Sequence, residues 1–286
     1  MKKSYSRAFE RYTWSLLGCM TVKDVANHLK MSWHTVKEIN KTYLERHYGK
    51  PKLKDVEYLA IDEIAYKKSH KYKTIVIDLV AGRAIFVGEG RTSETLDRFW
   101  KRLKCSGAKI KTVATDMWPA NWGSVGANLP GVPIIFDLYH IVKHHNKCLD
   151  DLRIKLNREK TDLNKWQLIK SSKWLLLTNE ENLGTKRNKK TKLTPAEQLA
   201  EALKINQALS IDYYSKDELK EIWKQKTEAL GEQKFSEWID NAKSSGIQPL
   251  KKFCNLLKGH RLGILNWHKH PISKGPLEGL NNKLRS

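Results

Sequence analysis

The sequence predicts a mixed α/β chain. It reads as an N-terminal helix-turn-helix, a mixed β-sheet core in the order β-β-β-α-β-α-β, and a large all-α insertion ahead of one last helix. Three observations carry this. The apolar spacing is helical over residues 20–46, strand-like between 56 and 136, and helical again from about 138. Breaker-rich stretches mark the changes. Three carboxylates, Asp62, Asp116 and Glu278, sit at the ends of such elements.

At residues 20–46, Val22, Val25, Ala26, Leu29 and Met31 make one small apolar face. Ser32 is a good N-cap for the next helix, whose stripe is Val36 and Ile39. Only Lys30-Met31 lies between, the spacing of a helix-turn-helix, with Met31 plugging a turn that lacks the usual glycine. Ser32, Trp33, His34, Lys37 and Lys41 fall at the start and on the open face of the second helix, where they would reach a DNA groove. The bland reading is a helical hairpin with a basic surface.

Gly49-Lys50-Pro51-Lys52 reads as a linker. Strands are then predicted at Val56–Ile64, Tyr72–Val80 and Arg83–Glu89, with Ala81-Gly82 as a turn. A helix capped by Thr92 or Ser93 runs to about Lys104. Ile110–Asp116 is the fourth strand, Trp118–Leu129 a short helix or loop, and Val132–Phe136 the fifth strand. That order is the order of a ribonuclease-H-like fold. The crossover rule places strand four beside strand one. Beyond Leu138 the apolar spacing is helical, and Thr194-Pro195-Ala196-Glu197 reads as a capping box. The basic stretch from Gly184 to Lys192 reads as a loop. Trp166, Trp174, Trp223 and Trp238 read as core rather than as stacking surfaces. The expected domains are 1–50, 53–145, 146–266 and 267–286.

The net charge is +22, from 53 Lys and Arg against 31 Asp and Glu. That excess points to a polyanion, double-stranded DNA before a membrane surface. No apolar run approaches the ~20 residues that span a bilayer, and no secretory signal is visible, so a cytoplasmic protein is expected. The four cysteines are scattered, with no C-x-x-C pair. Residues 57–145 are the least basic segment, with 13 basic and 9 acidic side chains.

Two strand-end aspartates and a distant helical glutamate suit one acidic pocket. Such a pocket holds Mg2+ or Mn2+, as two ions, for phosphoryl transfer on nucleic acid. Each residue alone is weak evidence, because an Asp after a strand is more often a turn former. Glu63, Asp78 and Asp137 are rivals, and Glu278 is also placed to complement a helix dipole. His140, His144 and His145 read first as surface or capping residues.

Several blocks in one order resemble the ISL-three family of bacterial insertion-sequence transposases. They are Met20–Ala26 with Ser32–Lys37, Ile61–Ala65 followed by Gly88–Arg91, Thr115–Ala120, Phe136–Val142 and Leu277–Lys283. The resemblance implies an Asp62-Asp116-Glu278 triad in a ribonuclease-H-like domain interrupted by helices. It implies divalent metal, cleavage at terminal inverted repeats, strand transfer to target DNA, and a homo-oligomer. It makes Asp137 and His140 a supporting D-x-x-H element. Relative to that family the chain has no N-terminal cysteine-rich module and ends soon after Glu278, so it reads as a truncated copy. A DNA binder that occupies element ends without catalysis is the alternative, and a structure-selective nuclease a third reading.

Overall fold

A computed structural model describes residues 5–49, 51–67, 71–158, 169–188 and 191–272. They divide into two compact units at Asp55/Val56; the expected first boundary lay at residue 50.

The N-terminal unit holds three helices, α1 (Arg7–Leu17), α2 (Val22–His28) and α3 (Trp33–Tyr48). Of these, α1 is not among the helices expected from the sequence. Each starts at a hydroxyl N-cap, Ser6, Thr21 or Ser32, that accepts the backbone N–H three residues on. Val25, Ala26 and Val36 are buried where α2 meets α3, with Leu16, Leu17 and Met31 packed around them. Lys30 takes a left-handed conformation, φ 51°. Its N–H donates to Asn27 O, and Met31 N–H donates to Ala26 O, which completes a Schellman turn without glycine. Trp14 stacks on Tyr43 at 5.4 Å and ties α1 to α3.

The second unit is built on a five-stranded mixed sheet, β1 (Tyr58–Lys67), β2 (Lys71–Asp78), β3 (Arg83–Glu89), β4 (Thr112–Thr115) and β5 (Ile134–Phe136), in the order β3-β2-β1-β4-β5. β1, β2 and β3 form an antiparallel meander, and β4 pairs parallel to both β1 and β5. Strand four therefore lies beside strand one, where the crossover rule put it. β1 runs on to Lys67 along β2 but pairs with β4 only as far as Ala60. Asp62 is thus within β1, not at its end as expected, and it is terminal only with respect to β4.

Helices α4 (Asp97–Ser106) and α5 (Pro119–Asn128) follow β3 and β4. Phe99 and Trp100 of α4 are buried; Phe99 meets Phe86 of β3, and Trp100 Nε1 donates to Ser124 Oγ of α5 at 2.8 Å. After β5 comes α6 (Leu138–Arg158), a continuous helix in which the expected 145/146 boundary falls. Then follow α7 (Lys173–Leu177), α8 (Pro195–Ile205), α9 (Gln207–Lys224), α10 (Glu228–Ser244), α11 (Gln248–Gly259) and α12 (Arg261–Leu265). The capping box at Thr194 and Glu197 is present.

One apolar core runs from Met117 and Phe136 at the sheet into these helices. Trp223 and Trp238 belong to it, whereas Trp174 is 80% exposed, against the core reading; Trp166 lies outside the described residues. At the centre of the block His145 of α6 lies 3.3 Å from Asp212 of α9, both with fully buried side chains. His145 Nε2 also meets Ser215 Oγ at 2.9 Å, and Trp238 and Phe253 meet the imidazole edge-to-face. Burial pushes the His145 imidazole down to about 3 and the Asp212 carboxyl up to about 7, favouring the neutral form of each.

α12 docks on the sheet's edge strand β5. A Cβ at Gly263 would collide with the Phe136 ring, and Asn266 Nδ2 donates to Ile134 O at 3.0 Å. Two substitutions test these backbone constraints. Lys30→Gly is expected to stabilise the protein by about 1 kcal/mol by relieving the left-handed lysine. Gly263→Ala is expected to cost roughly 1–3 kcal/mol by driving α12 off Phe136. Chemical denaturation of both variants beside the parent checks the two signs.

Candidate active site

Register brings three acids to one level. Ala60 pairs with Ala114, and Thr115 with Phe136. Continued at the same offsets, Asp62 comes level with Asp116, and Asp116 with Asp137. Asp116 lies just past β4 and Asp62 two residues past the last β1–β4 pair, so the pairing brings the two segments side by side. The β4–β5 ladder itself reaches Asp137, whose N–H donates to Thr115 O at 3.2 Å.

The carboxylates are held by local bonds. Asp62 is 6% exposed, and its Oδ1 accepts the Glu63 N–H at 2.8 Å. Asp116 Oδ1 accepts the Trp118 N–H at 3.1 Å and Asn121 Nδ2 at 3.2 Å. Asp137 Oδ1 accepts the Tyr139 N–H at 3.2 Å, and its carbonyl accepts the Ile141 N–H, so Asp137 starts α6. One turn into that helix, His140 Nε2 lies 3.9 Å from Asp62 Oδ1 and 4.0 Å from Asp137 Oδ2. Asp62, Asp137 and His140 are therefore gathered in one place, and Asp116 is tied through Asn121 to Glu63, the residue next to Asp62.

Two further residues join them. Asn121, buried on α5, donates from one amide nitrogen to both Glu63 Oε1, at 2.9 Å, and Asp116 Oδ1. Burial, then the neighbouring charges of Asp116 and Asp62, pushes the Glu63 carboxyl up to about 7, against the pull of the Asn121 bond and Arg91. The sequence marks Glu63 only as a rival acid. It does not single out Asn121, whose one signal is an amide a turn past Asp116, behind Pro119 at a helix start.

Most other candidates fall elsewhere. Asp78 accepts the Val80 and Ala81 N–H groups and so shapes the β2–β3 turn. His145 is buried in the helical block, whereas His144 stays beside the site: burial and then the His140 charge hold its imidazole below the ordinary range, against the pull of Asp116. Glu278 lies outside the described residues. Among the described residues no group of three or more His, Cys, Asp and Glu side chains is placed to hold a metal ion. The donor chemistry suits a hard divalent cation, since the carboxylates of Asp62 and Asp116 both lie near enough to Glu63 for their charge to raise it. Also among them, no helix is long and apolar enough to cross a membrane.

In the N-terminal unit, Ser32, Trp33, His34, Lys37 and Lys41 are all exposed at the start and along one side of α3. The Ser32 hydroxyl is engaged as the cap. Lys37 Nζ sits 4.8 Å over the Trp33 ring, and His34 meets that ring edge-on at 5.3 Å.

Residues 59–286 match a family model described as a transposase, and residues 2–44 match one for the helix-turn-helix domain of transposase family ISL3. The chain is 35% identical over 287 residues to a Bordetella parapertussis transposase for insertion sequence element IS1001, covering 98% of this chain and 69% of that one. It is 24% identical over 298 residues to a Mycobacterium tuberculosis transposase for insertion sequence element IS1557, covering 95% of this chain and 64% of that one. The chain thus spans about two thirds of the length of these relatives.

The raised Glu63 carboxyl has a definite consequence for stability. In the unfolded chain it ionises near 4.5, in the fold near 7. The fold prefers the protonated acid, so its contribution is full below 4.5 and is lost as pH rises through 7. Glu63→Gln, which keeps an acceptor for Asn121, should therefore gain stability over the parent across that window and level off above it. Denaturation of both proteins in metal-free buffer, below and above the window, measures this. An unchanged difference across it would contradict the burial and charge argument.

Proposed function

The chain belongs to the ISL3 family of transposases, and we propose that it cleaves DNA at the ends of an insertion sequence and transfers the strands through Asp62, Asp116 and Glu278. The observation that supports this best is the parallel β1–β4 pairing, which sets the stretches leading to Asp62 and Asp116 side by side. On this reading the sheet order is that of a ribonuclease-H-like domain. Residues 53–145 are its first part, 146–266 a helical insertion, and 267–286 its last, glutamate-bearing helix. Residues 1–50 are the DNA-binding domain.

Asp62 and Asp116, with Glu278, would hold Mg2+ or Mn2+, as two ions. When bound, these activate a water or 3′-hydroxyl and stabilise the leaving 3′-oxygen. The chain's own residues set the stage for that. Asn121 holds Asp116 in one orientation and shares its amide with Glu63. Asp137 fixes the start of α6 and with it His140, which stands between Asp62 and Asp137. His140 and Asp137 are positioning residues here.

The partner is double-stranded DNA: the terminal inverted repeats first, then the target, bound by a homo-oligomer in the cytoplasm. Net charge +22 supplies long-range attraction. Trp33, His34, Lys37 and Lys41 read the ends from the exposed side of α3.

Strand cleavage of a labelled duplex carrying the element's own end, with and without Mg2+, tests the reading. Metal-dependent products are expected, falling by about 100-fold or more in Asp62→Ala and in Asp116→Ala, the scale of lost charge stabilisation. Cleavage that survives both substitutions would remove these residues from the site. On the same duplex, Lys37→Ala should weaken binding and reduce the salt dependence by about one phosphate contact.

A further inference from the structure

The acidic row carries an aromatic rim. Asp116 and Asp137 end adjacent strands and each accept the backbone N–H two residues on. In both cases that residue is a large exposed aromatic, Trp118 at 42% and Tyr139 at 54%. The same turn is thus used twice, side by side, to raise a ring next to a carboxylate. Neighbouring strands lie ~4.8 Å apart, so the two turns flank one spot. Trp118 is also backed by charge. The Arg91 guanidinium is layered between the Trp118 ring, at 5.2 Å, and the Tyr72 ring, at 4.3 Å. Trp122, one turn further along α5, is 39% exposed and meets His260 edge-on.

Aromatic rings of this size are normally covered, and those in the helical core are. Flat exposed rings beside a fixed guanidinium bind another flat ring beside an anionic backbone. A paired base inside a duplex has no free face to offer, whereas an unpaired one has two.

We infer that Trp118 and Tyr139, with Arg91 behind Trp118, form a stacking platform for an unpaired nucleobase next to the phosphodiester held at the Asp62–Asp116 site. The inference rests on the function proposed above and adds a property of the substrate: the DNA is locally unpaired when it reacts. The stacking energy offsets the cost of opening the last base pairs at the element end.

The test begins with binding and needs no catalysis. The full chain, in metal-free buffer, competes two synthetic duplexes alike except for a short unpaired thymine flap at one end. The flapped duplex should bind about tenfold tighter, the scale of one base on an aromatic ring. The preference should shrink several-fold in Trp118→Ala and in Tyr139→Ala, vanish in the double variant and persist in Trp118→Phe. Both side chains are largely exposed, and thermal melting of each variant verifies the fold.

Cleavage gives the second readout. Trp118→Ala should cut a fully paired end about tenfold more slowly than the parent, yet cut an end with a mismatch beside the scissile bond at nearly the parental rate. A merely structural defect would slow both. Equal affinity of the parent for the two duplexes, or a preference that survives the double variant, would overturn the platform. The binding arm repeated with Asp62→Ala, whose carboxylate accepts the Glu63 N–H and shapes neither turn, distinguishes loss of the platform from a failure of the cleavage reading: the flap preference should persist there even where cutting is absent.

Discussion

The short strand β4, between β1 and β5, is the constraint on which the rest depends. Its four residues are all buried, and through them the β1–β3 meander is joined to β5. Because both of its pairings are parallel, the level of Asp116 is set from two sides. A slip of one residue would turn Asp116 to the opposite face of the sheet. The parallel connections also decide what surrounds the acids. The parallel β4–β5 pairing requires a crossover, which begins with α5, and α6 follows β5 directly. Those helices bring Asn121 and His140 in over the strand ends. The acidic cluster and its polar supports are thus one consequence of one pairing pattern.

Electrostatics divides the labour within the chain. A charge of +22 attracts a polyanion from a distance, but residues 57–145 carry the smallest positive excess, 13 bases against 9 acids. Inside the cluster, burial and repulsion together hold Glu63 largely protonated below neutrality. A phosphodiester is repelled by the same field unless a cation accompanies it. Arg91, which lowers Glu63 and stacks on Trp118, is a positive group facing this spot.

Much of the sheet was legible in the sequence, because alternation and turn residues report strands directly. The five strands lie close to where these signals put them, and the crossover rule ordered β4 beside β1. Asp116 was readable as a strand-end acid; Asp62 was read that way too, although β1 continues past it along β2. Helix α1 was not singled out, although Ser6 caps it and its apolar residues recur on one helical face. Asn121 and the His145–Asp212 pair escaped for a different reason. Glu63 lies 58 positions before Asn121, and Asp212 sits on a different helix from His145. No local pattern encodes such contacts. Trp174 resembled its buried neighbours by residue type alone. The role of Glu278 rests on motif resemblance.

The His145–Asp212 contact bears on how this helical block can change over generations. Remove the carboxyl alone and the imidazole keeps only Ser215 Oγ; remove the imidazole alone and a buried acid loses the polar group 3.3 Å away, and a buried polar group left unsatisfied costs about 1–3 kcal/mol. Replace both with well-fitted apolar side chains and little is lost. The two positions, on helices α6 and α9, therefore cannot drift independently. Any descendant that abandons the pair must cross an unstable intermediate or change both codons together, and relatives of this chain should hold the two residues jointly or lack them jointly.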